Sequence, residues 1–232
     1  MDVKRGTWMG ARTPLAAAAA ALLAVVLGAA IGGCRMEAPE RGEARERADE
    51  TGFRGRVIED PAPRPDFELA DARGGTFDFR EETEGHLTLL FFGYTHCPDV
   101  CPIHMSSIAQ VKRDLGAEFG RETKVIFVTV DPARDTPERI RSWLDNFDPE
   151  FIGLRGDPEV VDSIQVGLGL PPAMVPMPAA GDDTEGDYLV GHGSPVVAWP
   201  ADNSVRVDFP FGTRQEDWRH DLAKLAELDG ES

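Results

Sequence analysis

Cys97 and Cys101 stand with three residues between them in the run Phe91-Phe92-Gly93-Tyr94-Thr95-His96-Cys97-Pro98-Asp99-Val100-Cys101-Pro102, the stretch of this chain best equipped for chemistry. Side chains at i and i+4 share one face of a helical turn, so two thiolates placed this way can close on one soft ion. Their Cα atoms also approach the upper end of the separation that a disulfide spans, so thiol-disulfide exchange is the second use of the pair. A helix N-terminus lowers thiol pKa, which leaves a metal fewer protons to displace. A structural zinc site would call for four protein ligands, and no second cysteine pair exists to complete one.

The elements that position the pair are legible from periodicity. Residues 87–93 form an almost continuous apolar run of strand length, the pattern of a strand buried on both faces, and the cysteines follow it directly. Residues 105–118 read as a helix with Ile108, Val111 and Leu115 on one face. Upstream, 66–69 and 76–79 read as a small hairpin turning through Arg73-Gly74-Gly75. Downstream, 124–130 is a second buried strand, and Asp135-Thr136-Pro137-Glu138 is a helix start with an early proline, carrying Ile140, Trp143 and Leu144 inward. Asp157-Pro158-Glu159 opens another helix towards residue 168. A long loop over 171–193 follows, of a length that is usually functional or disordered. Two strands, 196–199 and 205–209, and a helix over 215–228 close the chain.

This order predicts an α/β, thioredoxin-like fold: a central mixed sheet flanked by helices, with an N-terminal β-hairpin extension. The cysteines then sit at the C-terminal end of a central strand, where open α/β sheets bind ligands. Pro195, just ahead of an apolar strand, suits that fold's loop proline facing the cysteines.

The N-terminus indicates the compartment. Lys4, Arg5 and Arg12 precede an apolar stretch, 15–31, that ends in Ile31-Gly32-Gly33-Cys34, the make-up of an export signal. Small residues directly before a cysteine resemble the bacterial lipobox, which implies a lipoprotein-type signal peptide over 1–33 and lipidation of Cys34. An uncleaved membrane anchor and an ordinary signal peptide are the alternatives, and each leaves the rest of the chain on the periplasmic, extracytoplasmic side of the cell envelope. With Cys34 lipidated, only Cys97 and Cys101 remain, so there is no disulfide framework. In an oxidising compartment that pair closes unless a reductant or a metal protects it.

Residues 34–60, rich in Arg, Glu, Ala and Gly, read as a flexible tether, and 61–232 as one domain with an ample core. The formal net charge is -17, with about -19 on residues 57–232. Such a field disfavours nucleic acid and anionic membrane surfaces and favours cationic partners or metal ions, although solubility alone also accounts for it.

Three blocks in order, Gly93-Tyr94-Thr95-His96-Cys97-Pro98-Asp99-Val100-Cys101-Pro102, then Val128-Thr129-Val130-Asp131-Pro132-Ala133-Arg134-Asp135-Thr136-Pro137, then Asp187-Tyr188-Leu189-Val190-Gly191-His192-Gly193-Ser194, resemble the Sco/SenC copper chaperones over residues 60–228. The resemblance implies a thioredoxin-like domain that holds copper, Cu(I) or Cu(II), with Cys97, Cys101 and His192, and puts the family's aspartates at Asp131 and Asp135. Thiolates select Cu(I) and imidazole suits copper in either oxidation state, so the chemistry agrees. The partners implied are the copper-site subunit of cytochrome c oxidase, other copper chaperones and thiol reductants. Three departures stand out: Ile103-His104-Met105 replaces the usual small hydroxyl residues and leucine, Gly191 precedes the histidine where an acid is common, and Pro195 is unusual and gives the loop a more thioredoxin-like look.

Other readings remain open at this point. A metal-free thiol-disulfide oxidoreductase or peroxidase would use the same pair, and a copper or redox sensor would look alike in sequence. Asp135 is well placed as a helix cap, and Asp131 sits at a strand end beside a proline turn. His96 is suited to shaping the turn. His104 is expected at the surface of the first helical turn, and His86 and His220 in exposed positions. Met174 and Met177 offer thioethers but fit apolar packing of a proline-rich loop better.

Overall fold

The central strand is β4, Leu87–Gly93, and all seven of its residues are buried. A strand without a polar face must be covered on both sides, which is the reason it lies in the middle of the sheet. It pairs in parallel with β5, Thr123–Thr129, and antiparallel with β7, Val196–Trp199. The computed structural model describes residues 51–58, 63–174, 188–193 and 195–228.

The other strands are β1 (Arg56–Ile58), β2 (Glu68–Asp71), β3 (Thr76–Asp78), β6 (Ile152–Arg155) and β8 (Arg206–Phe209); the sheet order is β1-β8-β7-β4-β5-β6-β2-β3. The helices are α1 (Phe79–Thr83), α2 (Val100–Leu115), α3 (Ala117–Glu122), α4 (Pro137–Leu144), α5 (Pro158–Gly167) and α6 (Gln215–Leu228). The parallel β4-β5-β6 run is connected through helices, as parallel strands require. The outer strands return antiparallel, so the sheet is mixed, as the sequence predicts. The core is aromatic around β4 and β5, where Phe91, Phe92 and Phe127 are fully buried.

Several boundaries differ from the sequence expectations. The tether expected over 34–60 does not extend through 56–58, because those residues are β1 and pair with β8. Phe53 is buried as well, and the Asp221 carboxylate of α6 accepts the backbone N–H groups of Arg54 and Gly55 at 3.0 and 2.6 Å. A three-residue strand of one arginine and two apolar residues leaves no alternation strong enough to detect, and its partner is 150 residues away. The strand β6 escaped the sequence reading because four residues with a central glycine show little pattern. Gly153 is required there, since a Cβ would stand 2.3 Å from Ile140 Cγ2 of α4. The expected hairpin forms as β2 and β3, and its pairing with β6 makes it the edge of the main sheet.

The first long helix begins five residues earlier than expected, so Cys101 lies inside it. Thr136, not Asp135, caps α4, its side chain accepting the Arg139 N–H. Among the described residues no helix is long and apolar enough to cross a membrane. The signal segment, Cys34, Met177 and the acidic stretch 182–187 lie outside the described residues.

Candidate metal centre

The chain leaves β4 at Gly93 and turns at once into α2, and this short passage carries both cysteines. Gly93 is needed at the exit: a Cβ there would meet Phe91 Cε1 at 2.8 Å, Cys101 Sγ at 2.9 Å and Phe127 Cε2 at 3.0 Å. The turn is closed by Cys97 N–H donating to the Tyr94 carbonyl at 3.2 Å. Cys97 is half-buried, and Cys101, one helical turn further on, is fully buried.

Beneath this turn lies Asp135, also fully buried. Its carboxylate accepts Thr95 N–H at 3.0 Å, Thr95 Oγ1–H at 2.6 Å and Thr129 Oγ1–H at 2.6 Å. One carboxylate thus ties the cysteine turn to the end of β5. A buried carboxylate needs such donors, and with them it becomes a rigid joint. His96 leans over the same joint, Nδ1 3.3 Å from Thr95 Oγ1 and 3.6 Å from Asp135 Oδ1.

His192 arrives from the other side of the sheet's C-terminal edge. Its ring stands T-shaped to Tyr94 at 5.8 Å and to Phe91 at 6.0 Å. Nδ1 lies 3.0 Å from the Gly193 carbonyl. A carbonyl only accepts, so Nδ1 carries the proton and Nε2 keeps its lone pair. That Nε2 is 3.7 Å from Cys101 Sγ, and one ligand atom from each of Cys97, Cys101 and His192 lies within 4.8 Å of the others. Two thiol sulfurs and an imidazole nitrogen converging in this way fit copper.

The two thiols differ. The Cys101 thiol beside Cys97 is the main force lowering the Cys97 pKa from 9.0 to about 3; burial opposes it, while the backbone N–H groups of Cys101 and Asp99 add to it. The Cys97 side chain, followed by burial, pushes Cys101 up. The pull is thus in opposite directions, downward at the more accessible sulfur and upward at the buried one. Burial raises the Tyr94 phenol, opposed by its hydrogen bond with the Val190 backbone and reinforced by both cysteines.

The remaining candidates fall elsewhere. Asp131, buried at the end of β5, accepts Tyr188 O–H at 2.8 Å and pairs with Arg134. Its carboxylate and that of Asp135 are thus engaged by protein groups, and neither is in the ligand cluster found among the described residues. Met174 pairs with Gly191 through two backbone hydrogen bonds, and its side chain packs where a Gly191 Cβ would be. It is 71% exposed.

His104 departs most from expectation. It is buried, not at the surface, with ring centroids 5.1 Å from Phe91, 6.0 Å from Phe211 and 6.1 Å from Trp218. The earlier helix start explains this, since Cys101, His104, Met105 and Ile108 share the inward face of α2. His86 is half-buried with Nδ1 3.2 Å from the Glu122 carbonyl, and His220 is exposed beside Asp221. Pro195 directly precedes β7. Sequence reasoning missed Tyr94, Thr95, Thr129 and Tyr188 as supports; all four lie inside the quoted blocks, but their contacts cross 6 to 98 residues and no local spacing reports them.

Comparison with known proteins agrees with this geometry. Residues 57–227 match the model of the SCO1/SenC family. A mitochondrial SCO2 homolog of Bos taurus is 34% identical over 179 residues, covering 74% of this chain and 61% of its own length. A SCO2-like protein of Rickettsia felis is 34% identical over 129 residues, covering 56% of this chain and 60% of its own. The chain thus spans about 60% of the length of these curated relatives. Among solved structures, Bradyrhizobium japonicum ScoI with copper bound is 33% identical with a TM-score of 0.60, covering 71% of this chain and 99% of its own. Apo Sco1 from Thermus thermophilus is 29% identical with a TM-score of 0.63, covering 75% and 96%. The fold is therefore the thioredoxin-like one of the Sco structures. The three converging ligand residues sit within the matched span, and the chain belongs to the SCO1/SenC family.

Proposed function

We propose that this protein is a membrane-tethered, extracytoplasmic copper chaperone. It holds one copper ion between Cys97, Cys101 and His192, and delivers it to the copper-site subunit of cytochrome c oxidase or keeps that subunit's copper-site cysteines reduced. The observation that carries the reading is the convergence of three ligand atoms within 4.8 Å from two segments 91 residues apart, with the imidazole already in the tautomer that offers Nε2. The relative from Bradyrhizobium, solved with copper bound, supports it. A three-coordinate site is open to an incoming ligand, so a partner offering one more donor can draw the ion away. Lipid on Cys34 would hold the domain at the membrane, and its acidic field would attract a cationic copper donor or acceptor.

The test is metal binding by the reduced, full-length protein in detergent. One copper per chain is expected, with loss of affinity in Cys97→Ser and His192→Ala; a wild-type protein that took up no copper would end the reading. Cells carrying only Cys97→Ser should assemble oxidase lacking copper. Cys34→Ala should move the protein from the membrane to the soluble fraction.

A second reading, thiol-disulfide reduction, is favoured by the accessible, low-pKa Cys97 with Cys101 buried behind it. The Cys97 thiolate would attack a target disulfide, forming a mixed disulfide and releasing one target thiolate. Cys101 would then lose its proton and attack Cys97 Sγ, closing the Cys97–Cys101 disulfide and releasing the second target thiol, so two electrons pass to the target. A partner thiol must reduce the pair again. Turnover of a disulfide substrate that is lost in Cys101→Ser but indifferent to His192→Ala would separate this activity from metal transfer.

A further inference from the structure

We propose that Tyr188 and Asp131, with Arg134, form a clamp that positions His192 for copper, an inference that rests on the copper reading of the site. Three observations meet here. First, the segment that presents His192 contains no regular strand or helix; only the bridge from Gly191 to Met174 gives it backbone pairing among the described residues. Side chains must therefore set its place. Second, Tyr188, four residues before His192, donates its O–H to Asp131 Oδ1 at 2.8 Å, and Asp131 is buried at the rigid end of β5. Third, the Arg134 guanidinium, paired with Asp131 through Nε, lies 3.5 Å from the centre of the Tyr188 ring and 5.7 Å from that of Tyr94.

Tyr94 closes the circuit. Its ring packs edge-on against His192 at 5.8 Å. The result is a stack of Tyr188, Arg134 and Tyr94 that spans the gap between the strand ends and the histidine segment. Burial, followed by Asp131, raises the Tyr188 pKa, in keeping with a phenol that stays protonated as donor. Nothing in the clamp needs to touch the ion. Ligand histidines depend on outer contacts for orientation, and losing one typically costs 10–100-fold in metal affinity.

Tyr188→Phe is the decisive variant, because it removes only the hydroxyl and leaves the ring under Arg134. In the reduced full-length protein it should weaken Cu(II) by about tenfold and diminish the imidazole nitrogen coupling in the EPR spectrum, while Cu(I), held chiefly by the two thiolates, changes much less. The double variant Tyr188→Phe/His192→Ala should bind no more weakly than His192→Ala alone, the non-additivity expected of one unit. Additive losses would mean that Tyr188 acts independently of His192 and would overturn the clamp. So would a Tyr188→Phe protein with wild-type Cu(II) affinity and EPR spectrum.

A copper-free readout keeps the two proposals distinguishable. NOE contacts between the His192 and Tyr94 rings in the apo protein should weaken in Tyr188→Phe and in Asp131→Asn. Unchanged contacts in correctly folded variants overturn the clamp even if copper binds the wild type. Weakened contacts with no copper uptake by the wild type would leave the conformational clamp standing and remove both the copper reading and its role for copper.

Discussion

The two halves of the metal centre are built on opposite plans. Cys97 and Cys101 sit where a fully buried strand runs into a helix, with Gly93, Thr95 and Asp135 leaving that turn one conformation. His192 sits on a segment with one backbone bridge, held by rings and hydroxyls from distant parts of the chain. On the proposed copper-delivery reading the contrast gives a division of labour. Two thiolates on a rigid base would retain the ion, and the third ligand, on the less firmly built side, would set the preference for oxidation state and offer the place to let go.

The comparison is broken most easily at the cysteine turn by pH. A pKa of about 3 keeps Cys97 deprotonated at every pH above that value. Its alkylation rate in the reduced apo protein should stay nearly flat from about pH 5 to 8, whereas an ordinary thiol with a pKa near 8.5 speeds up by roughly a thousandfold over that span. Mass spectrometry at several pH values decides it, and a tenfold rise per unit at Cys97 would remove the activated turn. Cys101, buried and pushed upward, should remain unlabelled.

Next in size is the ligand contrast. Cys101→Ser should cost roughly 100-fold or more in Cu(I) affinity, at the upper end of losses from altered metal sites. His192→Ala should cost Cu(II) more than Cu(I). Competition with a Cu(I) chelator and Cu(II) titration followed by absorbance measure both, and equal losses in the two oxidation states would erase the proposed division.

Stability effects are smaller. Asp135→Ala strands the Thr95 amide and the Thr95 and Thr129 hydroxyls, at a cost of about 3 kcal/mol. Urea unfolding should show that loss together with faster alkylation of Cys101 as the turn loosens. Gly93→Ala drives a methyl to within 3.0 Å of Cys101, Phe91 and Phe127, an overpacking worth about 1–3 kcal/mol. Its signature should be a lowered Tm with a shifted thiolate-to-Cu(II) band.

The legibility of the molecule follows the same division. Residues 87–93 announced β4 without error, because burial on both faces leaves an unbroken apolar run that nothing else of that length explains. The cysteines were visible from i,i+4 spacing, and His192 only through the resemblance of its block to a family, since no spacing relates residues 91 apart. Asp135 was read as a cap because Asp before Thr-Pro-Glu satisfies capping chemistry; Thr136 takes that role because Asp135 is drawn into the core by two threonines. His104 was misjudged because a helix started at Met105 leaves His104 out of the face it shares with Ile108, four residues on. Strand β1 and strand β6 were lost because short strands owe their existence to their partners.

By itself, then, the sequence determined the α/β layering, the central strand, the thiol pair and the donor types, all of which depend on interactions among residues near each other in the chain or on side-chain chemistry alone. Tertiary structure decided which donors meet, which imidazole nitrogen faces the sulfurs, which thiol is exposed, and what holds His192 there. Those are matters of distance and burial between segments far apart in sequence, where neither propensity nor periodicity carries information.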